Sequence, residues 1–209
     1  MLQQLTTMSN NATLFSAFLL LLLVLSPPRT FAHGGVVNVT WVLVDAGHFR
    51  TFASLLAASG LERELEARQR HRRRGGASGG GITVFAPSDI SFAQANPRTV
   101  RRLLAASAED RLAVLRAHVA TERLSLPELR AAARPEQPTL ATEHAGGGGS
   151  AGSRFTLNVT GSGEKGPVLV SSGVVPTQVD DTLLDDGRKP AVAVFSVVDV
   201  LFPKEFFSA

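Results

Sequence analysis

The hydrophobic period changes partway along this chain, from helical spacing before Pro138 to alternation after it. Val39, Val42, Leu43 and Ala46 form one helical stripe, and Phe49, Phe52, Leu55 and Leu56 form a second. Gly47 lies between them and Gly60 follows, so two short helices with a break are predicted. Ile82-Thr83-Val84-Phe85-Ala86, closed by Pro87, reads as a buried strand. Ser88 and Asp89 offer caps for a short helix through Phe92, and Pro97 can open the next. Ser107 with Asp110 begins another, carrying Leu112, Leu115 and Val119 on one face, and Ser125-Leu126-Pro127-Glu128 repeats the capping pattern. Downstream, Phe155, Leu157 and Val159 alternate with polar residues. Val168–Ser171, Val174–Val179 and Ala191–Val200 read as further strands. Helices, one strand, more helices and then a run of strands predict an α+β domain, with helices of the N-terminal half packed on a β-sandwich or wedge of mostly antiparallel strands.

The chain has 209 residues and no cysteine, which removes disulfides, thiolate metal sites and thiol catalysis together, so a hydrophobic core must hold the domain. Net charge is +3, and without Tyr or Cys a few surplus cations raise the isoelectric point without giving the charge density that nucleic-acid binding needs. Leu14 to Leu25 is apolar apart from Ser16, too short to span a bilayer comfortably, and is followed by Thr30-Phe31-Ala32. This predicts a signal peptide over residues 1–32 and secretion after cleavage behind Ala32, although no Lys or Arg precedes the apolar run. No second apolar run of spanning length and no lipid-anchor tail are seen, so the mature chain is expected to carry no membrane span.

Enzyme-like patterns occur in the wrong settings. Gly161-Ser162-Gly163-Glu164-Lys165-Gly166 fits G-x-G-x-x-G, but a strand lies on both sides and Pro167 blocks a following helix, so a hairpin turn is predicted. Gly76–Gly80 and Gly148–Gly152 fit G-x-S-x-G within Gly-rich stretches, without the strand-to-helix turn of a nucleophile elbow. None of His33, His48, His71, His118 and His144 has metal-ligand spacing, and Asp180-Asp181 and Asp185-Asp186 read as turn residues. No catalytic residue, metal or cofactor is therefore expected. Residues 62–81 read as an exposed, mobile basic and Gly-rich loop insertion, and residues 144–153 as a second Gly-rich loop. Arg68, Arg70, Arg72, Arg73 and Arg74 are then a solvated loop, a site of proteolytic trimming or a contact for an acidic polymer. Asn38-Val39-Thr40 and Asn158-Val159-Thr160 are N-glycosylation sequons, both expected to face solvent.

Ile82 to Phe92 resembles the first block of fasciclin domains, a T-V-F-A-P run followed by Thr or Ser, Asp or Asn, and Phe three positions on; Thr83, Val84, Phe85, Ala86, Pro87, Ser88, Asp89 and Phe92 carry it. Val192 to Pro203 resembles the second block, through Val194, Val197, Asp199, Val200, Leu201 and Pro203. His118 sits where the family has an aromatic-His pair, with Ala117 in the aromatic's place, and is expected to be a core hydrogen-bonding residue. The resemblance spans Val36 to Phe207, predicting a fasciclin domain over residues 33–207, and is nearest the plant fasciclin-like arabinogalactan group. It implies a secreted, non-catalytic adhesion or cell-wall matrix protein whose partner is a wall polysaccharide or another matrix component. An alternative is an acidic, pectin-like polysaccharide module acting through Arg68–Arg74. The Pro/Ala/Ser/Thr-rich tracts typical of that group are absent from this sequence.

Overall fold

The computed structural model describes residues 32–33, 35–73, 81–132, 135–145, 154–185 and 192–207, with nothing described of the side chains of Ala32, His33, Arg72 and Arg73. The predicted signal-peptide segment before Ala32, Arg74, Asp186 and both G-x-S-x-G stretches lie outside the described residues.

Two short strands, β1 (Ala32–His33) and β2 (Val36–Val37), form a small antiparallel pair. Three helices follow: α1 (Val39–Asp45), α2 (Arg50–Ser59) and α3 (Leu61–Arg73). The predicted break and stop both hold. Gly47 and Gly60 have φ of 88° and 76°, a left-handed backbone that glycine adopts without a Cβ penalty. Then come β3 (Ile82–Pro87), α4 (Asp89–Gln94), α5 (Pro97–Ala105), α6 (Ala108–Ala117), β4 (Val119–Ala120), α7 (Leu126–Ala131), β5 (Glu136–Gln137) and α8 (Leu140–His144). The chain ends in β6 (Leu157–Gly161), β7 (Val168–Ser171), β8 (Pro176–Leu184), β9 (Val192–Val197) and α9 (Lys204–Phe207). Ser88, Ser107 and Ser125 cap α4, α6 and α7 as their spacing predicts, and Pro97 opens α5.

Among the described residues seven strands make one sheet in the order β4-β3-β9-β8-β7-β6-β5, in which only β3 and β9 are parallel. The sheet wraps far enough for its two ends to meet. Ala120 in β4 bridges Thr139 beside β5, and the Thr121 amide donates to the Pro138 carbonyl at 3.0 Å. β8 supplies much of the curvature, because its register against β9 shifts twice between Val179 and Leu184. Inside the curve, Phe85, Leu129, Leu157, Val159, Val170, Phe195 and Leu201 pack as one cluster, with the Phe85 and Phe195 rings 6.2 Å apart. The opposite faces of β3 and β9, carrying Ile82, Val84, Val192 and Val194, are equally buried, so the helical half covers them.

Several local expectations are corrected. The stretch read as a loop from Glu62 is helix α3 through Arg73. Leu61, Leu65 and Gln69 repeat at i, i+4, i+8 and are all buried; the dense charge between them masked that stripe. Gln69 completes it with paired hydrogen bonds, accepting from the Val37 amide at 2.8 Å and donating to the Val37 carbonyl at 2.9 Å. Val119 lies in β4, not on the preceding helix, whose buried residues are Val114, Leu115 and Ala117. Phe155 precedes β6 with φ of 59°, and β8 begins at Pro176, leaving Val174 and Val175 exposed. Asp180 and Asp181 lie in β8, not in a turn.

Leu201, 1% exposed and part of the central cluster, anchors the segment leaving β9. Leu201→Ala is expected to lower unfolding free energy by about 2–5 kcal/mol, the usual span for a buried Leu truncation. Urea unfolding monitored by circular dichroism measures it, and a loss below about 1 kcal/mol would contradict this packing.

Candidate functional site

The polar residues of both sequence blocks make hydrogen bonds within the fold. Ser88 and Ser91 form a reciprocal cap on α4, and the Ser91 hydroxyl also donates to the Val197 carbonyl at 3.2 Å. Asp89 accepts from the Thr51 amide at 2.7 Å and the Arg50 amide at 3.3 Å, so one carboxylate begins α4 and satisfies the start of α2. Thr51, through its side chain and then its amide, with Arg50 adding to it, holds that carboxyl below the usual carboxylate range. Asp199 exchanges hydrogen bonds with Thr177, its amide donating at 2.8 Å to the hydroxyl that donates back to its carboxylate at 3.4 Å. Pro203 is buried.

His118 is 1% exposed, and both ring nitrogens are occupied. Nδ1 lies 2.9 Å from the Val114 carbonyl, and Nε2 accepts from the Leu201 amide at 3.1 Å. Nε2 can accept only if it carries no proton, so the ring is neutral with its hydrogen on Nδ1. The Phe52 ring packs on it with centroids 5.3 Å apart. Burial lowers the pKa to about 4, against a smaller opposing effect of the Val114 carbonyl.

No Ser or Thr hydroxyl pairs with a described histidine, and no group of three or more His, Asp or Glu among the described residues is arranged to hold a metal ion. Gly161–Gly166 is the tight connection between β6 and β7, closed by the Ser162 amide on the Pro167 carbonyl at 3.2 Å. Among the described residues no helix is long and apolar enough to cross a membrane.

The basic run is less available than a loop would make it. Arg68 grips Glu143 through both terminal nitrogens, at 2.6 and 2.8 Å, and Arg70 pairs with Glu66 at 2.6 Å. Asn38 is not a free surface amide either. Its Oδ1 caps α1 by accepting from the Trp41 amide, and its Nδ2 donates to Glu62 at 2.7 Å and Glu66 at 3.3 Å. Asn158 and Thr160 do face solvent, opposite buried Leu157 and Val159. Sequence reasoning missed the clefts among the described residues, because each joins distant segments; two of them bear on binding. One, of about 240 Å³, is lined by exposed Val174, Val175 and Phe207 with Val200 and Phe202. The other, polar and about 490 Å³, lies between α7, the β6–β7 turn and β8.

A fasciclin domain family model matches residues 47–185. Fasciclin-like arabinogalactan protein 4 of Arabidopsis thaliana is 38% identical over 172 residues, covering 82% of this chain and 36% of that protein. Fasciclin-like arabinogalactan protein 12 of the same plant is 34% identical over 182 residues, covering 87% and 65%. The chain thus spans only 36% and 65% of the length of these two relatives. A FAS1 domain pair from the insect cell adhesion molecule fasciclin I aligns with a TM-score of 0.47 at 17% identity, covering 75% of this chain and 46% of that one.

The buried neutral imidazole makes stability depend on pH. Between its ordinary value of 6.5 and about 4, the unfolded chain takes up a proton that the folded chain refuses. Stability from this group is therefore complete above pH 6.5 and declines as pH falls toward 4, by about 3 kcal/mol in all. His118→Gln should be less stable at neutral pH yet show a flatter stability profile across that window. Urea unfolding at stepped pH measures both, and parallel profiles for the two proteins would contradict a buried neutral His118.

Proposed function

We propose that this chain, which belongs to the fasciclin domain family, acts outside the cell as a non-catalytic adhesion-type module that binds a wall polysaccharide or another matrix component. The observation that carries the reading is that Ser91 and His118 are hydrogen-bonded inside the fold, while Asp89 and Asp199 are taken up by hydrogen bonds within it nearer the surface. The polar groups that could do chemistry in the two blocks serve as caps and cross-links, so recognition falls to exposed loops and strand faces. The apolar leader ending at Ala32 supports export, and the outward Asn158-Val159-Thr160 sequon supports passage through a glycosylating compartment. Occupancy is expected at Asn158 ahead of Asn38, because the Asn38 amide is held by Glu62 and Glu66. The names of the relatives fit the same reading.

The test is expression of the full chain with its own leader in plant cells. The expected outcome is protein in the extracellular fraction beginning at His33, a mass loss on deglycosylation that Asn158→Gln removes, and retention on purified wall polysaccharides or matrix proteins. An intact Met1 in a membrane fraction, or an extracellular protein that no wall or matrix preparation retains, would contradict the proposal.

A further inference from the structure

The polar cleft is built on elements that also serve the core, through residues that point away from it. Its first wall is α7. Gly161 lies so close to the end of that helix that a Cβ there would sit 2.0 Å from the Arg130 carbonyl and 2.8 Å from the Leu129 carbonyl. Only glycine allows this approach, which sets Arg130 beside the β6–β7 turn. The turn is the second wall. Gly163 has φ of 86°, and a Cβ on Gly166 would meet Ser162 at 2.3 Å, so the same glycine pattern holds Lys165 at the cleft. The third wall is β8. Consecutive residues of a regular strand point to opposite faces, yet Asp180 and Asp181 both line the cleft. The register shift between Val179 and Thr182 accounts for this, and the Asp181 amide donates to the Ser196 hydroxyl at 2.8 Å.

These four charges face one cleft, and Asp181 Oδ1 accepts from the Thr182 amide at 2.7 Å. Among the described residues Arg130, Lys165, Asp180 and Asp181 enter no ion pair, although opposite signs line one cleft. Arg130 Nε is sealed from solvent without an acceptor, and no described residue accepts from its terminal nitrogens. Its terminal nitrogens are not sealed, so they are open to an acceptor from outside the chain. By contrast, Arg68 and Arg70 are already neutralised by Glu143 and Glu66.

We propose that this cleft binds a uronate unit of an acidic polysaccharide, with Arg130 and Lys165 holding the carboxylate and Asp180 and Asp181 accepting from the sugar hydroxyls. A planar guanidinium matches a carboxylate in two parallel hydrogen bonds. Two carboxylates on the opposite wall would repel a densely charged phosphate or sulfate, but they suit a ligand with one anionic edge and one hydroxylated edge. The inference rests on the matrix-binding reading above and names its ligand class. It also moves the acidic-polymer contact from the arginine run of α3 to a preformed cleft.

The test is titration of the secreted full chain with tri-galacturonate at low salt, followed by calorimetry or by amide shifts of Lys165, Asp180 and Asp181. Binding is expected for the acid and not for its fully methyl-esterified form. Arg130→Gln with Lys165→Gln should weaken it at least about tenfold, while Arg68→Gln with Arg70→Gln should leave it unchanged. If the first pair impairs folding, Lys165→Gln alone, in an exposed turn, should weaken it about threefold. Asp180→Asn with Asp181→Asn should also weaken it, whereas a bare electrostatic contact would tighten once those charges are removed. No binding by the parent, equal binding by the Arg130/Lys165 variant, or tighter binding by the Asp variant each overturns the proposal. Retention on other matrix components would then still stand, since that depends on neither the cleft nor the probe.

Discussion

Six consecutive residue pairs, from Ile82–Val192 to Pro87–Val197, join β3 and β9 in parallel, and the rest of the domain is arranged around them. All twelve residues are buried, as expected of parallel strands covered on both faces. Phe85, Phe195 and Val197 face the cluster inside the curved sheet, while Val84 and Val194 face the helices. A parallel pair cannot be closed by a hairpin. The crossover between β3 and β9 therefore carries five helices and five strands among the described residues, and the curved sheet is largely made from it.

The second requirement is that the chain leaving β9 be pinned under the helices. His118 does this across 83 residues by accepting from the Leu201 amide while its other nitrogen meets Val114 in its own helix. A neutral imidazole supplies one donor and one acceptor in fixed directions, which a hydrocarbon side chain cannot. Asp89, just past the C-terminal end of β3, plays a matching part by tying α4 to the first turn of α2. With these polar groups committed to architecture, the surface is left for recognition. The charges of the polar cleft lie on the outer faces of α7, the β6–β7 turn and β8.

Features local in sequence were legible there. The caps at Ser88, Ser107 and Ser125, the left-handed stop at Gly60, the buried Ile82–Pro87 strand and the reading of Gly161–Gly166 as a hairpin all rest on patterns a few residues long. What was not legible depended on distant partners. The stripe of Leu61, Leu65 and Gln69 ends in a polar residue whose burial makes sense only once Val37 is opposite it. Asn38 looked like a free acceptor because Glu62 and Glu66, its partners, lie on another helix. The bulge that turns Asp180 and Asp181 into one cleft arises from pairing with β9 and leaves no local mark.

Native-state hydrogen exchange tests most directly whether the β3–β9 pair is what the domain depends on. The amides of Val84, Phe85, Val194 and Phe195 should exchange slowest, through global unfolding alone, with a free energy that tracks that from urea denaturation. The β6–β7 hairpin and α3 should open at lower free energy, because β8 separates that hairpin from β9 and α3 packs mainly on neighbouring helices and β2. Exchange of the β3 or β9 amides through an opening cheaper than that of β6 and β7 would contradict the account.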